Sequence, residues 1–310
     1  MTAAIRQSDY HLPVLFGESL EALDLRPDGT YVDMTFGGGG HSRGILEQLG
    51  PAGRLIAFDQ DADALDNAPR DDRFTLVRAN FRHAWRWLDY LDAPPVDGIL
   101  ADLGVSSFQI DTDHRGFSFM EDGPLDMRMN DAAPETAADL LARADFDDLV
   151  DVLSRFGEVR NAKTLARRLL EARDAGLTMR TTAQLADFLR PLAMGPVPRY
   201  LAQVFQALRM AVNDELGALA QMLERSVGQL APGGRLAVIT FHSLEDRMVK
   251  RFMRSGRLSG EAPRDAFGRP EVPFRVITRR PIEAGAEEVG VNRRARSARL
   301  RICERIEDAA

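Results

Sequence analysis

The segment from Thr30 to Ser42, TYVDMTFGGGGHS, decides the fold of this 310-residue chain. Its first four residues form a short apolar run that ends in a carboxylate, a pattern typical of a buried parallel strand. Four glycines follow, where the backbone turns from a strand into a helix and can approach a ligand closely. An ordinary turn needs fewer glycines, so the segment predicts a ligand-binding loop at the end of the first strand.

The spacing of these glycines does not fit the common phosphate-binding loops. The dinucleotide fingerprint needs glycines at i, i+2 and i+5, but here its third position falls on Ser42 or Arg43. The P-loop needs Lys-Ser/Thr after its last glycine, whereas Gly44 is followed by Ile45. A nicotinamide oxidoreductase is therefore disfavoured, and a nucleoside ligand without a pyrophosphate remains.

Further apolar runs alternate with helical stretches outward from this loop. Besides 30–33, candidate strands lie at 55–59, 74–78, 99–103, 235–240, 274–278 and 297–303. This alternation predicts an α/β fold with a doubly wound, mostly parallel sheet. From about 134 to 230 the patterns are helical only, with one long helix expected over 199–230 and a capping box at Thr181 and Gln184. We therefore expect an all-helical insertion domain at 131–198 between two parts of the main domain, 1–130 and 199–310.

Composition and charge narrow the class of protein. The chain is 45% hydrophobic and 28% charged, which is typical of a soluble globular protein, and its net charge of −7 does not indicate a nucleic-acid partner. Residues 242–301, however, hold 15 Arg/Lys and 8 Asp/Glu. Such a basic segment favours contact with an RNA backbone, and its densest part contains Arg293, Arg294, Arg296, Arg299 and Arg301. No leader and no long apolar stretch is present, so we expect a cytoplasmic protein without a membrane partner.

Carboxylates at the ends of strands suggest which nucleoside the loop binds. Asp59 ends the second predicted strand, where a carboxylate can accept both ribose hydroxyl protons. Asp33 ends the first strand beside the glycine loop and suits a cationic ammonium group. A ribose together with an amino-acid tail describes S-adenosylmethionine, which is the cofactor that we predict.

Taken together, these residues resemble the family of bacterial 16S ribosomal RNA cytosine-N4 methyltransferases, known as RsmH or MraW. The matching segments are TFGGGGHS at 35–42, DLGVSS at 102–107, RGFSFMEDGPLDMRM at 115–129, FQALRMAVNDEL at 205–216, FHSLEDR at 241–247 and the arginine-rich stretch 292–300. The resemblance implies a class I, Rossmann-like methyltransferase fold and methylation of a cytidine in the decoding region of the small subunit. It also implies S-adenosylmethionine contacts at Gly39, Gly40, His41, Asp59, Phe81, Asp102 and Gln109.

The expected chemistry is direct, in-line methyl transfer to an exocyclic nitrogen. Because cytosine N4 is a poor nucleophile, the transfer needs close alignment and an acceptor for the departing proton. Asp102 and Ser106, in the motif after the fourth strand, are candidate catalytic residues, and Asp102 is equally suited to hold the amino-acid end of the cofactor. His242 should lie on the same rim as a weaker substrate-side candidate, and Ser243 is suited to cap the next helix. Carbon-5 methylation requires a cysteine nucleophile, and the one cysteine, Cys303, lies on a distant predicted strand, so no covalent intermediate is expected.

Other functions remain open at this stage. A methyltransferase of the same fold could act on DNA adenine or on a protein, and a non-catalytic RNA-binding assembly factor could retain the pocket. A single cysteine and histidines without ligand spacing predict no metal site. The expected partner is 16S rRNA, free or in the small subunit, and the sequence is also compatible with a homodimer.

Overall fold

The computed structural model describes residues 13–110 and 112–307, without the side chains of residues 107, 108 and 113. The chain divides into two compact units. Met1–Gly104 and Gly217–Ala310 form the sheet unit, and Val105–Leu216 forms the helical unit. The helical unit begins earlier and ends later than the insertion expected at 131–198.

The sheet unit contains one eight-stranded sheet. Its strands are β1 Thr30–Asp33, β2 Arg54–Asp59, β3 Phe74–Arg78, β4 Val96–Asp102, β5 Leu230–Thr240, β6 Phe274–Val276, β7 Ile282–Glu283 and β8 Arg299–Arg305. Their order is β3-β2-β1-β4-β5-β8-β6, with β7 also paired to β8. The first five strands are parallel to one another, and β8 runs antiparallel to β5, β6 and β7. This is the doubly wound, Rossmann-like sheet expected of a class I methyltransferase, so the predicted fold class is confirmed.

The α-helices of the described residues include both long helices and single turns. They are α1 Phe16–Leu23, α2 Gly40–Gln48, α3 Ala84–Tyr90, α4 Ser107–Ile110, α5 Ala137–Arg143, α6 Phe146–Asp151, α7 Ala162–Asp174, α8 Thr182–Leu189, α9 Val197–Val212, α10 Glu215–Gln229, α11 Ser243–Ser255 and α12 Ala286–Val291. Among the described residues no helix is both long and apolar enough to span a bilayer.

The core of the sheet unit follows from the alternation of side chains along the strands. Buried residues of the strands pack on one face with Leu23 of α1 and Ile45 of α2. Leu300 and Ile302 of β8 belong to this core. The intervening Arg301 is also buried, because it forms an ion pair on the other face with Asp246 of α11. Both faces of β8 are therefore covered.

The helical unit has an apolar core of its own, formed by α5 to α9 and the segment before them. The capping box at Thr181 is confirmed, since its side chain accepts a hydrogen bond from the backbone N–H of Gln184. The single helix expected over 199–230 is wrong: α9 and α10 are separated at Asn213 and Asp214, and Asp214 has a φ of 44°.

Asn213 also explains why the helical unit includes residues before the predicted insertion. Its Nδ2 donates to the carbonyl of Met127 at 2.7 Å, and its Oδ1 accepts from the N–H of Met129 at 2.7 Å. The N–H of Leu125 donates to the carbonyl of Arg180 at 2.9 Å. These long-range bonds join a segment without regular structure to the helices, and no local pattern in the sequence reveals them.

Candidate cofactor and methyl-transfer site

Three aspartates lie at the C-terminal edge of the parallel sheet. Asp33 ends β1, Asp59 ends β2 and Asp102 ends β4. Because β1 lies between β2 and β4, the three carboxylates lie at neighbouring positions of one edge. Ligands of doubly wound sheets bind at this edge, where the strand order reverses, and the reversal falls between β1 and β4.

The glycine loop between β1 and α2 tolerates few side chains. Gly37 and Gly39 have φ values of 52° and 75°, in the left-handed region that favours glycine. A Cβ at Gly39 would also lie 2.7 Å from the ring of Phe36, and one at Gly40 would lie 2.2 Å from Pro13. The loop therefore has a fixed shape that brings backbone N–H groups to the sheet edge.

Asp33 is held inside this loop. The Ser42 hydroxyl donates to its Oδ2 at 2.7 Å, and the N–H of Thr35 donates to its Oδ1 at 3.0 Å. Burial raises the pKa of Asp33, whose side chain is almost fully enclosed. These contacts give the carboxylate a positioning role that connects β1 to α2, and its expected contact with an ammonium group stays a prediction.

Asp59 is partly exposed and supports the loop from the neighbouring strand. Its Oδ2 accepts from the N–H of Gly37 at 2.7 Å, and its Oδ1 accepts from the N–H of Asp61 at 2.8 Å. Burial raises its pKa to about 6 despite these two bonds. Each carboxylate oxygen can accept a further hydrogen bond, so the residue can still bind a pair of ligand hydroxyls.

Of the three aspartates, Asp102 has the fewest hydrogen bonds to its carboxylate. Its Oδ1 is buried and has no hydrogen-bond partner among the described residues. Burial, and then the charges of Asp33 and Glu245, raise its pKa to about 8. The backbone N–H of Asp102 donates to Thr35 Oγ1 at 2.7 Å, which fixes the end of β4 against the loop. An unpartnered buried carboxylate is costly, so its presence favours a ligand that supplies the missing hydrogen bond or charge.

His41 lies beside Asp102 but does not neutralise it. Its Nδ1 is 3.8 Å from Asp102 Oδ2, and its Nε2 is 3.2 Å from the carbonyl oxygen of Val14. Burial lowers the pKa of His41 to about 4, so the ring is neutral at physiological pH and donates through Nε2. The ring also stacks on Phe16, with centroids 6.1 Å apart. His41 is therefore not a counter-ion of Asp102, and its expected contact with the cofactor stays a prediction.

Phe81 follows β3, next to Asp59 along the sheet edge. It is partly exposed and begins a short 3₁₀ turn that Asn80 caps by accepting from the N–H of Arg82 at 3.0 Å. Asn80 also donates to Gln60 at 2.9 Å, which connects the segments that follow β2 and β3. Phe81 thus lies on the same sheet edge as Asp59, the residue expected to bind the ribose. Its contact with the cofactor remains a prediction.

His242 caps α11, which begins directly after β5. Its Nδ1 accepts from the N–H of Glu245 at 3.4 Å, and its Nε2 lies 3.1 Å from Glu245 Oε1. The cap expected at Ser243 is wrong, because Ser243 is already the first residue of the helix. The His242 ring is mostly enclosed, and its expected role as a substrate-side contact stays a prediction.

Ser106 and Gln109 belong to the helical unit, where they contact each other. Ser106 Oγ accepts from the N–H of Gln109 at 3.2 Å, and Gln109 Oε1 accepts from the N–H of Ser106 at 3.1 Å. This reciprocal pair is a capping box at the start of α4. It gives both residues a structural role, and their expected catalytic and cofactor-binding roles stay predictions.

The arginines expected to contact RNA precede and begin β8. Arg293 and Arg296 are exposed, and Arg294 is partly exposed. Arg299 lies opposite Thr240 in the register of β5 and β8, so it reaches the carboxylate edge. Its guanidinium also lies 3.6 Å from Asp246 and 3.5 Å from Glu283, which neutralise part of its charge.

Three residues of this site were not singled out from the sequence. Thr35 and Ser42 hold Asp102 and Asp33, as described above, and both lie in the quoted motif TFGGGGHS. Glu245 is buried in the motif FHSLEDR, where it accepts from the N–H of Phe241 at 2.9 Å. The sequence motifs contain these three residues. Their roles became clear only in the structure, where the ends of the strands lie side by side.

Comparison with known proteins identifies the family to which this geometry belongs. The model of the MraW methylase family matches residues 8–306. The chain belongs to the MraW methylase family. A relative from Parabacteroides distasonis is 50% identical over 303 residues, which cover 97% of this chain and 99% of that one. Relatives from Porphyromonas gingivalis (49% over 306 residues, 97% and 98% covered) and Cytophaga hutchinsonii (50% over 299 residues, 96% and 99% covered) are equally similar. All three are named Ribosomal RNA small subunit methyltransferase H.

The residues at the sheet edge fit the cofactor of an MraW methylase. The chain is an S-adenosylmethionine-dependent methyltransferase. The free acceptor capacity of Asp59 matches the hydroxyls of a ribose, and the unpartnered Oδ1 of Asp102 is left to accept a hydrogen bond from a ligand N–H group. The glycine loop provides close approach for the backbone between them.

The raised pKa of Asp59 predicts that its contribution to cofactor affinity depends on pH. An ionised carboxylate accepts hydroxyl protons more strongly than a protonated one, and Asp59 becomes protonated as the pH falls through about 6. At pH 7.5 we expect Asp59→Asn to bind S-adenosylmethionine roughly 10- to 100-fold more weakly than the unaltered chain. Calorimetric titrations from pH 5 to 8 should show this ratio approaching one below pH 6, and a ratio that does not vary with pH would exclude the ionised contact.

Proposed function

We propose that this MraW methylase transfers a methyl group from S-adenosylmethionine to N4 of a cytidine in the decoding region of 16S ribosomal RNA. The observation that carries the proposal is the carboxylate of Asp102 at the cofactor edge, whose Oδ1 is buried without a hydrogen-bond partner among the described residues. The relatives' shared name, which specifies the small ribosomal subunit, supports the class of substrate. We place the reaction in the cytoplasm, on rRNA that is free or within the subunit.

Asp102 would act on the hydrogens of the acceptor amine. Bound S-adenosylmethionine supplies an electrophilic methyl group on a sulfonium. The N4 lone pair is delocalised into the ring, and a carboxylate that accepts an N4 hydrogen restores lone-pair character and then takes the proton that leaves. A pKa of about 8 is suited to this role, because it lies near the working pH.

The neighbours of Asp102 keep its carboxylate both basic and aligned. The nearby charges of Asp33 and Glu245 favour its protonated form, and the neutral His41 adds no positive charge that would lower its pKa. Thr35 holds the backbone of Asp102, which fixes where its side chain leaves the end of β4. We propose substrate contacts for His242 and Ser106 and cofactor contacts for Asp33, Gly39, Gly40, Phe81 and Gln109.

The environment of Cys303 argues for transfer to nitrogen rather than to carbon 5. The thiol is buried, and burial raises its pKa well above its usual range. Cys303 lies opposite Leu236 of β5, four residues before Thr240 at the cofactor edge, or roughly 13 Å along the strand. A thiolate nucleophile is thus disfavoured both by position and by ionisation, which supports direct transfer.

Replacing Cys303 by alanine should therefore leave catalysis intact. We expect Cys303→Ala to retain kcat within about twofold, because no bond to sulfur forms in the proposed mechanism. The loss of a small buried side chain should lower the free energy of unfolding by only ~1 kcal/mol. Steady-state methylation with the folded variant measures this, and a rate loss of tenfold or more would contradict the direct mechanism.

The class of substrate is tested by offering several acceptors together. S-adenosylmethionine with a labelled methyl group is incubated with unmodified small subunits, naked 16S rRNA, DNA and ribosomal protein. We expect the label in the RNA fraction alone. Label confined to DNA or protein would replace the proposed substrate, and no transfer to any acceptor, with the cofactor bound, would favour a non-catalytic RNA-binding role.

A further inference from the structure

A strongly basic stretch follows the proposed active edge along the chain. Residues 247–280 contain 10 Arg/Lys against 3 Asp/Glu. They form most of α11, the loop after it, β6 and the turn towards β7. This stretch precedes the arginines at 293–299, so the basic character of the C-terminal segment is not confined to its densest cluster.

A shallow, open depression lies within this stretch, between α11 and β6. Its rim carries Lys250 and Arg254 of α11, which are one helical turn apart, and Arg279 from the turn after β6. Met253 and Thr278 contribute to its lining. Thr278 Oγ1 accepts from the N–H of Ile302 at 2.9 Å, so its own hydrogen remains available to donate.

Among the described residues, the cations that line this pocket differ in whether a carboxylate compensates their charge. Arg301, which also lines the pocket, is neutralised by two bonds to Asp246, at 2.6 and 3.0 Å. In contrast, the exposed Lys250, Arg254 and Arg279 form no ion pair within residues 13–110 and 112–307. Three convergent cations without a counter-ion produce a local field that attracts an anion.

We propose that the pocket rimmed by Lys250, Arg254 and Arg279 binds phosphate groups of the RNA backbone. The inference rests on the proposed function, since the acceptor is an RNA. An open site with several flexible cations fits a phosphodiester chain, which passes through without being enclosed. α11 starts at the end of β5, and Lys250 lies seven residues after Ser243, or roughly 10 Å along the helix axis. A strand held there is anchored about two helical turns from the methyl-transfer edge.

An exposed aromatic ring in the same stretch adds a second kind of contact. Phe267 is 87% exposed at the tip of a loop closed by a bridge between Arg264 and Pro270. Asp265 Oδ1 accepts from the N–H groups of Phe267 and Arg269, both at 2.8 Å, so the turn is held without packing the ring. Phe267 lies between Arg264 and Arg269 in the sequence, and because bases stack on exposed aromatic rings we include it as an additional RNA contact.

The test compares charge reversal at the pocket with the same change elsewhere. Lys250→Glu/Arg254→Glu is matched by Arg70→Glu/Arg199→Glu, which alters two exposed residues outside the stretch. Binding of a labelled single-stranded RNA of decoding-region sequence is measured by anisotropy between 50 and 300 mM salt. We expect the pocket variant alone to lose RNA affinity at least roughly tenfold. Because two phosphate contacts are lost, the slope of log association constant against log salt concentration should be smaller in magnitude by about 1.4. Phe267→Ala should weaken binding at least about fivefold without altering the slope.

The possible outcomes distinguish a failure of the pocket assignment from a failure of the proposed function. Equal binding by the pocket and control variants, whether both are weakened or neither is, overturns the assignment of the pocket. Displacement of the RNA by polyglutamate as readily as by unlabelled RNA overturns its assignment to a nucleic acid. If the unaltered chain binds RNA through the pocket but forms no N4-methylcytidine, the proposed function fails while the RNA surface stands. If it methylates RNA and the pocket variant methylates equally well, the pocket inference fails alone.

Discussion

Asp102→Asn should lower the methylation rate about 100- to 10,000-fold while making the protein more stable. Asparagine keeps the shape of the side chain but cannot take the proton from N4, a contribution of roughly 10²- to 10⁴-fold. The folded state raises the pKa of Asp102 from 3.8 to about 8, so between these values it binds more protons than the unfolded chain. Stability therefore falls as pH rises through this range, and removing the carboxylate should add ~1–3 kcal/mol to the free energy of unfolding at pH 8.

The two roles of Asp102 separate when rate and cofactor binding are measured on the same variant. We expect kcat to fall while the S-adenosylmethionine Kd changes less than about tenfold, and the gain in stability to vanish below pH 4. Asp97→Asn, at the opposite end of β4, serves as the control and should leave the rate unchanged. A large loss of cofactor affinity with a normal rate at saturation would assign Asp102 to cofactor binding, and a less stable variant would contradict the picture of an uncompensated charge.

Asp246→Ala should cause the largest loss of stability, about 3–5 kcal/mol. Arg301 is 6% exposed and donates to both carboxylate oxygens of Asp246, so removing the partner leaves a guanidinium buried without compensation. Urea unfolding measures the effect. Asp187→Ala, which removes an exposed ion pair with Arg190, should cost less than about 1 kcal/mol.

A second substitution identifies the cause of this loss. In Asp246→Ala/Arg301→Met no buried charge remains, and most of the stability should return. If the double variant is as unstable as the single one, the effect comes from lost packing around α11, and the account of a buried ion pair is wrong.

Much of the fold could be predicted because the signals were local. The segment 30–42 and the strands at 55–59 and 74–78 agree with the structure to within one residue, since buried parallel strands are short apolar runs. β5 begins five residues before its predicted start. Pro232-Gly233-Gly234 is a turn signal in the sequence, but Leu230, which precedes it, already pairs with Val96 of β4. The break between α9 and α10 was missed because its Asn213 bonds to Met127 and Met129, which lie more than 80 residues away.

The candidate site was only partly visible in the sequence. The positions of Asp33, Asp59 and Asp102 followed from the rule that parallel strands end at one edge. Their hydrogen bonding did not follow from this rule. The bond from Ser42 to Asp33 and the absence of a partner at Asp102 Oδ1 depend on which residues the fold brings close together. Arg301 shows the converse: it was part of the predicted phosphate-binding cluster, yet it is buried against α11.

The most direct test of the central claim is mass spectrometry of nucleosides from 16S rRNA. Unmodified small subunits are incubated with the enzyme and S-adenosylmethionine carrying a deuterated methyl group, and the RNA is digested to nucleosides. The account predicts deuterated N4-methylcytidine with the unaltered chain and with Cys303→Ala, and almost none with Asp102→Asn. Deuterium in 5-methylcytidine or in a ribose-methylated nucleoside, or no methylated cytidine at all, would contradict it.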